Sequence, residues 1–247
     1  MKLICYGSSS RGNGYILQGK DEILLIEAGL PVSNVRKRVN DFAQIKGCIV
    51  SHRHGDHSKY IADFMKAGIT VYAPGIVFCQ IKEPEDKRVV LGNPLEPVKI
   101  GGFTVIPMHA NHDVTCYAYH IHHNELGKML FVTDSAGFDG KFEGLRHIMI
   151  ECNWSEACIK KAIDEGRTSW DVAERSMTTH MGLEVMIDYL KSEKLTEEAE
   201  EVILLHLSHE NSDEKNFIGT AEKELQKPVY VAKRGFEIEL SNDYEEY

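Results

Sequence analysis

Residues 52–57 read His52-Arg53-His54-Gly55-Asp56-His57, directly after the apolar run Gly47-Cys48-Ile49-Val50. Four metal-capable side chains within six residues are a density that packing does not explain. His52 and His54, at alternating positions, can converge on one ion, and Asp56 with His57 is placed to hold a second ion beside it. Imidazole suits zinc, and an added carboxylate lets such a site keep a position open for water or substrate. After the cluster, Tyr60, Ile61, Phe64 and Met65 recur at helical spacing until Gly68 supplies a stop. The ligands therefore sit on a strand-to-helix loop. Asp56 lies near the helix N-terminus, where a carboxylate is favoured both as a cap and by the dipole.

Outward from this loop, apolar β-type runs predict strands over Lys2–Tyr6, Tyr15–Gln18, Ile23–Ile26, Cys48–Val50, Phe103–Pro107, Thr115–Ile121, Met129–Val132, Ile148–Ile150 and Val202–Leu205. Helical spacing predicts helices over Ser33–Asn40, His57–Lys66, Ser155–Glu165, Leu183–Glu193 and Ser212–Glu224. Early strands at hairpin spacing, succeeded by strands alternating with helices, imply two sheets with helices packed outside. The residues just beyond these apolar runs are then informative. His52 comes after Cys48–Val50, His112-Asp113 after Phe103–Pro107 and a short loop, and Asp134 after Met129–Val132. Glu151 ends Ile148–Ile150, and His206 ends Val202–Leu205. The carboxyl ends of strands are where sites form in α/β sheets. A set of five such residues is hard to place by packing alone.

At 247 residues with no Pro/Gly/Ser linker, low-complexity tract or internal repeat, the chain is expected to form one domain spanning 1–247. Its six cysteines are scattered without a Cys-x-x-Cys pair, several in apolar runs, as small buried thiols of a reduced protein would be. The N-terminal Met1–Gly7 reads as a short strand rather than a signal-peptide core, and no apolar run is long enough to span a membrane. A soluble, cytoplasmic protein with no membrane partner is expected. The formal net charge is −10, which disfavours a long nucleic acid as substrate because polynucleotide binding relies on neutralising phosphates. A small anion held by metals is not disfavoured.

With these residues in view, the chain resembles the metallo-β-lactamase fold superfamily over nearly its whole length. That resemblance implies an α/β protein, an αββα sandwich with a dinuclear metal site along one edge of the sheets. It implies two divalent ions, zinc or manganese. His52, His54 and His112 would hold one, Asp56, His57 and His206 the other, and Asp134 would bridge them. The β-lactamases themselves use a cysteine at the second metal and lack the bridging aspartate, so antibiotic hydrolysis is not expected. His109 competes with His112, and the His112-Asp113 pair is preferred because it resembles the family motif. Gly7-Ser8-Ser9-Ser10-Arg11-Gly12-Asn13 resembles the N-terminal loop of the compact YycJ-like branch. Thr179-His180-Met181-Gly182 and Leu205-His206-Leu207-Ser208 resemble late motifs of tRNase Z-like phosphodiesterases, where a carboxylate at the position of Glu151 partners the late histidine. The long arm by which tRNase Z grips tRNA has no counterpart here. The branch includes compact phage enzymes that destroy cyclic nucleotide signals, and its members pair as homodimers.

The expected function is accordingly a metal-dependent phosphodiesterase acting on small nucleotides such as 3′,5′-cyclic mononucleotides. Asp56, Glu151 and His180 are the catalytic candidates, with His180 as general acid oriented by Glu151. Ser9, Asn13 and His180 are the candidate substrate contacts, the first two because such turns offer hydroxyls and N–H groups to phosphate. Trp154, Arg167 and Trp170, around a helical insertion before His180, would suit either base stacking and phosphate pairing or a dimer interface. The alternatives are a DNA or RNA nuclease, a thioester or lactone hydrolase, and a catalytically inactive metal-binding scaffold.

Overall fold

A strand buried on both faces reads as an unbroken apolar run, and period-two alternation then decides which core each side chain enters. Ile23-Leu24-Leu25-Ile26 is such a run: Leu24 and Ile26 face the space between two sheets, and Ile23 and Leu25 face an outer helical layer. The computed structural model describes residues 1–81, 88–140 and 142–241. Its strands are β1 (Lys2–Gly7), β2 (Gly14–Gln18), β3 (Ile23–Ile26), β4 (Ile45–Ile49), β5 (Val71–Ala73), β6 (Val89–Leu91), β7 (Val98–Ile100), β8 (Phe103–Ala110), β9 (Cys116–His123), β10 (Gly127–Val132), β11 (Leu145–Glu151), β12 (Glu201–Leu205), β13 (Val229–Val231) and β14 (Glu237–Glu239). Its α-helices are α1 (Val32–Arg36), α2 (Gly55–Ser58), α3 (Ile61–Lys66), α4 (Glu156–Asp164), α5 (Trp170–Thr179), α6 (Leu183–Ser192) and α7 (Glu214–Leu225).

Two sheets form, in the orders β14-β1-β2-β3-β4-β5-β6 and β13-β12-β11-β10-β9-β8-β7. Each is antiparallel at one side and parallel at the other: β3 through β6 run parallel in the first sheet, and β10 through β13 in the second. Leu17, Leu24, Ile26 and Ile49 of the first sheet meet Phe131, Met149, Ile203 and Leu205 of the second in the central core. Each fully buried side chain of this kind contributes about 1.5–3 kcal/mol. Outside, α1 and α3 cover the first sheet through Val35, Ile61 and Phe64, and α6 and α7 cover the second through Met186, Leu190 and Phe217. The layering is αββα, as expected. Among the described residues no helix is long and apolar enough to cross a membrane. All six cysteines are free, and Cys5, Cys48, Cys116 and Cys152 are buried.

Two helices differ from expectation. The helix expected over 57–66 is split into α2 and α3, because the Tyr60 N–H leaves the helical register to donate to the Ala28 carbonyl at 2.9 Å. The helix expected over 33–40 ends at Arg36, after which Arg38 and Val39 both donate to Val35 in a closing turn. The helical insertion expected before His180 is present as α5, capped by Ser169. The three-residue strands β5, β6, β7, β13 and β14 are too short to carry a periodic signal of their own.

Candidate metal centre

The parallel strands of both sheets point their carboxyl ends at one edge. β4 leads into the 52–57 loop, and Asp134, Glu151 and His206 stand just after β10, at the end of β11 and just after β12. Glu27, Asp134 and His206 adopt positive φ, at 64°, 33° and 52°. Left-handed backbone costs an ordinary residue roughly 1–3 kcal/mol, and such strain collects where a side chain must be aimed. Here all three are turned inward at the same edge.

Three overlapping groups of potential ligand atoms result at this edge, and Asp134 belongs to all of them: His52, His54, His112 and Asp134; Asp56, His57, Asp134 and His206; and Asp134, Glu151, His180 and His206. Asp134 Oδ1 lies 3.3 Å from His57 Nε2 and 3.4 Å from His206 Nδ1, while Oδ2 lies 3.9 Å from His52 Nε2. Asp56 Oδ2 lies 3.3 Å from His57 Nε2 and 3.4 Å from His206 Nε2. His112 Nε2 is 3.2 Å from His54 Nδ1, and its other nitrogen faces the Thr179 carbonyl at 2.9 Å. His109, the competitor, points instead toward the Tyr117 ring and is exposed.

The donor set fits a pair of divalent cations. His52 Nε2 and His206 Nε2 are buried and have no hydrogen-bond partner among the described residues, which an ion would satisfy. Ser51 Oγ, 2.9 Å from His52 Nδ1, fixes that ring as metal-binding imidazoles are commonly fixed. Burial, with His57 adding to it, pushes His52 well below the ordinary imidazole range, toward the neutral form that ligates. Burial acts against charge on His57 and His206 too, but there the carboxylates prevail: Asp134 and Glu27 raise His57, and Asp134, Asp56 and Glu151 raise His206 to about 10. A centre that draws protons onto two buried imidazoles is one that a cation would occupy favourably.

Around the ligands stands a supporting layer. The Glu27 carboxylate accepts from the Ser51 N–H at 3.2 Å and faces His57 Nδ1 at 3.5 Å, fully buried. Sequence reasoning missed Glu27, although it comes directly after Ile23–Ile26 as the other site residues come after their strands. Asn13, expected to touch substrate, is fully buried; its amide reaches His57 Nε2 at 2.9 Å and Asp56 Oδ2 at 3.3 Å, so it supports ligands instead. Ser9 does not line the cleft over the ligands, whereas Ser10 does. Ser8 Oγ accepts from the His206 N–H at 3.0 Å.

Beside the ligands, Glu151 Oε1 lies 2.6 Å from His180 Nδ1 and 3.3 Å from His206 Nδ1, and Oε2 accepts from the Ser135 and Met181 N–H groups. Burial would lower His180, but the hydrogen bond to Glu151 outweighs it and raises it. Trp154 is buried and donates its indole N–H to the His180 carbonyl at 3.0 Å, so it positions that histidine and is not available to stack on a base. Arg167 pairs with Glu165 and Glu210, and Trp170 is exposed at the start of α5. A cleft of about 380 Å³ opens over the centre, walled by Ser10, Asp113, Val172, Arg175, Thr179 and His180.

Residues 24–207 match the beta-lactamase superfamily domain, and the chain belongs to that superfamily and has the metallo-beta-lactamase fold. The probable metallo-hydrolase YhfI of Bacillus subtilis (strain 168) is 26% identical over 136 residues, 47% of this chain and 56% of that protein, so the match spans about half of that relative's length. The crystal structure of YhfI superposes with a TM-score of 0.70 at 21% identity, covering 96% of this chain and 99% of that one. Human tRNase Z, short form, gives 0.61 at 14% identity over 97% and 99% of the two chains. Zn2+-bound PqqB from Methylobacterium extorquens gives 0.69 at 13% over 97% and 100%. At these identities the likeness is one of fold.

Proposed function

We propose that the chain is a metal-dependent phosphodiesterase of small nucleotides, among them 3′,5′-cyclic mononucleotides. The observation that carries this reading is the Glu151–His180 pair, 2.6 Å apart, with His180 on the wall of the cleft and Glu151 buried behind it, beside the ligand groups that share Asp134. His52, His54 and His112 would hold one divalent ion and Asp56, His57 and His206 the other, with Asp134 between them. Bound there, such ions supply Lewis acidity to a phosphate and lower the pKa of water. The remaining chemistry belongs to the chain. With Nδ1 engaged by Glu151, His180 presents Nε2 to the cleft. The Glu151 carboxylate raises its pKa against the effect of burial, which favours a proton on that atom for the departing alkoxide. Glu151 keeps the ring in this orientation, and its second oxygen is fixed by two backbone donors, so it cannot turn away.

The cleft volume suits a single nucleotide, and its rim sets Asp113 and Asp171 against one arginine, Arg175. That balance supports a small ligand over a long polyanion, which leaves a nuclease as the second reading. Hydrolysis of 3′,5′-cyclic mononucleotides, dinucleotides, oligonucleotides and a thioester by metal-loaded protein tests the reading. His180→Ala is expected to keep its metal and lose about 10²–10⁴-fold in turnover, the usual worth of a general acid. Asp134→Ala is expected to lose metal as well as turnover. The reverse pattern, or turnover of the thioester alone, defeats the assignment. A homodimer belongs to the same proposal and is checked by light scattering.

A further inference from the structure

The turn Gly7–Gly12 has two sides. Ser10 faces the metal cleft, while Ser8, Ser9 and Arg11 line a separate cavity of about 500 Å³ on the other side, closed by Lys233 and Arg234 from the segment after β13. The turn is tightly built. Gly12 has a φ of +143°, and a Cβ there would press on Leu30. The turn separates the two cavities, and Ser8 joins them: it lines the second cavity, while its hydroxyl accepts from the backbone N–H of His206 at 3.0 Å and from the Tyr15 hydroxyl at 2.8 Å.

The second cavity is basic in a chain of net charge −10. Arg11, Lys233 and Arg234 line it, and no carboxylate does among the described residues. Lys233 is neutralised by Glu214 at 2.7 Å, but the guanidinium groups of Arg11 and Arg234 have no hydrogen-bond or ion-pair partner among the described residues. A second observation is independent of charge. Tyr6 lines the same cavity, is 1% exposed, and its hydroxyl is buried without a hydrogen-bond partner among the described residues. A buried hydroxyl left unpaired costs about 1–3 kcal/mol. The acidic cavity bounded by Glu143, Glu193, Glu197 and Glu198 lies elsewhere and has the opposite sign, so the cations at Arg11 and Arg234 are not a sample of the general surface.

We propose that this cavity is a phosphate subsite, in which Arg11 and Arg234 bind a phosphate group with serine hydroxyls beside it. Paired guanidinium forks match phosphate oxygens in geometry as well as charge. The placement across one turn from His206 assigns that phosphate to the substrate: a nucleotide whose scissile diester lies at the metal centre and whose second phosphate reaches over the Ser8–Ser10 rim. This rests on the phosphodiesterase reading of the metal centre and extends it from mononucleotides to short nucleotides bearing a further phosphate.

The test uses a matched pair of substrates, a dinucleotide with and without its 5′-phosphate, on metal-loaded wild type and on the Arg11→Ala, Arg234→Ala double variant. Wild type is expected to prefer the phosphorylated dinucleotide in kcat/KM, and the double variant to lose at least tenfold of that preference, through KM. A second measurement does not depend on turnover: calorimetric titration of Asp134→Ala protein with inorganic phosphate, with and without the two arginine substitutions. Binding at least tenfold weaker without the arginines supports the subsite. If phosphate binds in this way but the substrate preference does not change, the site still takes phosphate, and its source is a separate phosphorylated ligand. No arginine-dependent binding, or equal losses on both dinucleotides without it, overturns the proposal. Wild type that cleaves neither dinucleotide overturns the extension to substrates with a further phosphate and, if it also leaves 3′,5′-cyclic mononucleotides intact, the phosphodiesterase reading with it, while the titration still decides whether the cavity takes phosphate.

Discussion

The first sheet delivers His52, His54, Asp56 and His57 on one continuous loop, whereas the second delivers His112, Asp134, Glu151 and His206 singly, each from a different strand connection. The loop is held as a unit by its neighbours' backbones. Asn13 donates its N–H to the Asp56 carbonyl at 2.7 Å, Ala28 donates to the His57 carbonyl at 2.8 Å, and Gly29 donates to the Asn13 carbonyl at 3.2 Å. The single residues share no such backbone frame; Asp134, Glu151 and His206 are linked only through the Glu151 side chain, which meets the Ser135 N–H and His206 Nδ1. Asp134 and His206 are each aimed by their own left-handed backbone, and Glu151 by the donors it accepts from. A segment that carries several ligands fails as a block; ligands carried one by one fail separately.

Gly29→Ala is the most severe way to break this contrast. A Cβ at Gly29 would collide with the Asp56 carbonyl, and Asn13 closes the space on the other side. The 52–57 loop has to move as a whole. The expected result is loss of bound metal, turnover down by more than about 100-fold, and destabilisation of about 1–3 kcal/mol, typical of overpacking. Metal analysis and urea unfolding of the purified variant check it. A variant that retained both metals would show that the loop is not a rigid unit.

Glu27→Gln acts on the same loop more gently, by weakening the carboxylate that faces His57 Nδ1. Partners behind a metal-binding imidazole are commonly worth 10–100-fold in metal affinity or activity. A loss in that range is expected in competition with a chelator, with His52 and His54 unaffected in the other ligand group. Equal weakening of both ions would mean that the two halves are coupled more tightly than their construction implies.

The contrast also explains which residues could be read in advance. The loop was legible because its ligands are adjacent in sequence, and Asp134, Glu151 and His206 because each closes or succeeds an apolar run. The helix-strand-strand-helix layering came from the same runs. Glu27 was equally visible by that rule and was passed over. Asn13 could not be assigned from sequence, since an amide in a Gly/Ser turn serves substrate or ligand alike until its burial is known. Ser9 and Ser10 differ only in the side of the turn they face, and the helical insertion before His180 did not reveal that its helix, α5, walls the cleft. These are facts of direction, which spacing along the chain does not encode.

His120 gives the smallest expected effect and separates acid sensitivity of the second sheet from that of the metal centre. It lies on β9, pairs in register with Ile106 and Leu130, and packs against Phe142, with no carboxylate paired to its ring among the described residues. Burial, aided by Lys128, lowers its pKa to about 4. As pH falls through the ordinary imidazole value near 6.5, the unfolded chain takes up a proton that the folded chain refuses. Stability is therefore complete above that value, declines between about 6.5 and 4, and levels off below. Allowing for the ring's partial contact with water, about 1–2 kcal/mol is at stake. His120→Phe removes the titrating group in a pocket already lined by Phe142. The difference in unfolding free energy between variant and wild type is expected to grow in the variant's favour from pH 7.5 to pH 4.5. Because both proteins carry the same metal centre, its own loss of ions in acid cancels from that difference. A difference that stayed constant with pH would return all acid sensitivity to the ligands and remove His120 from the account.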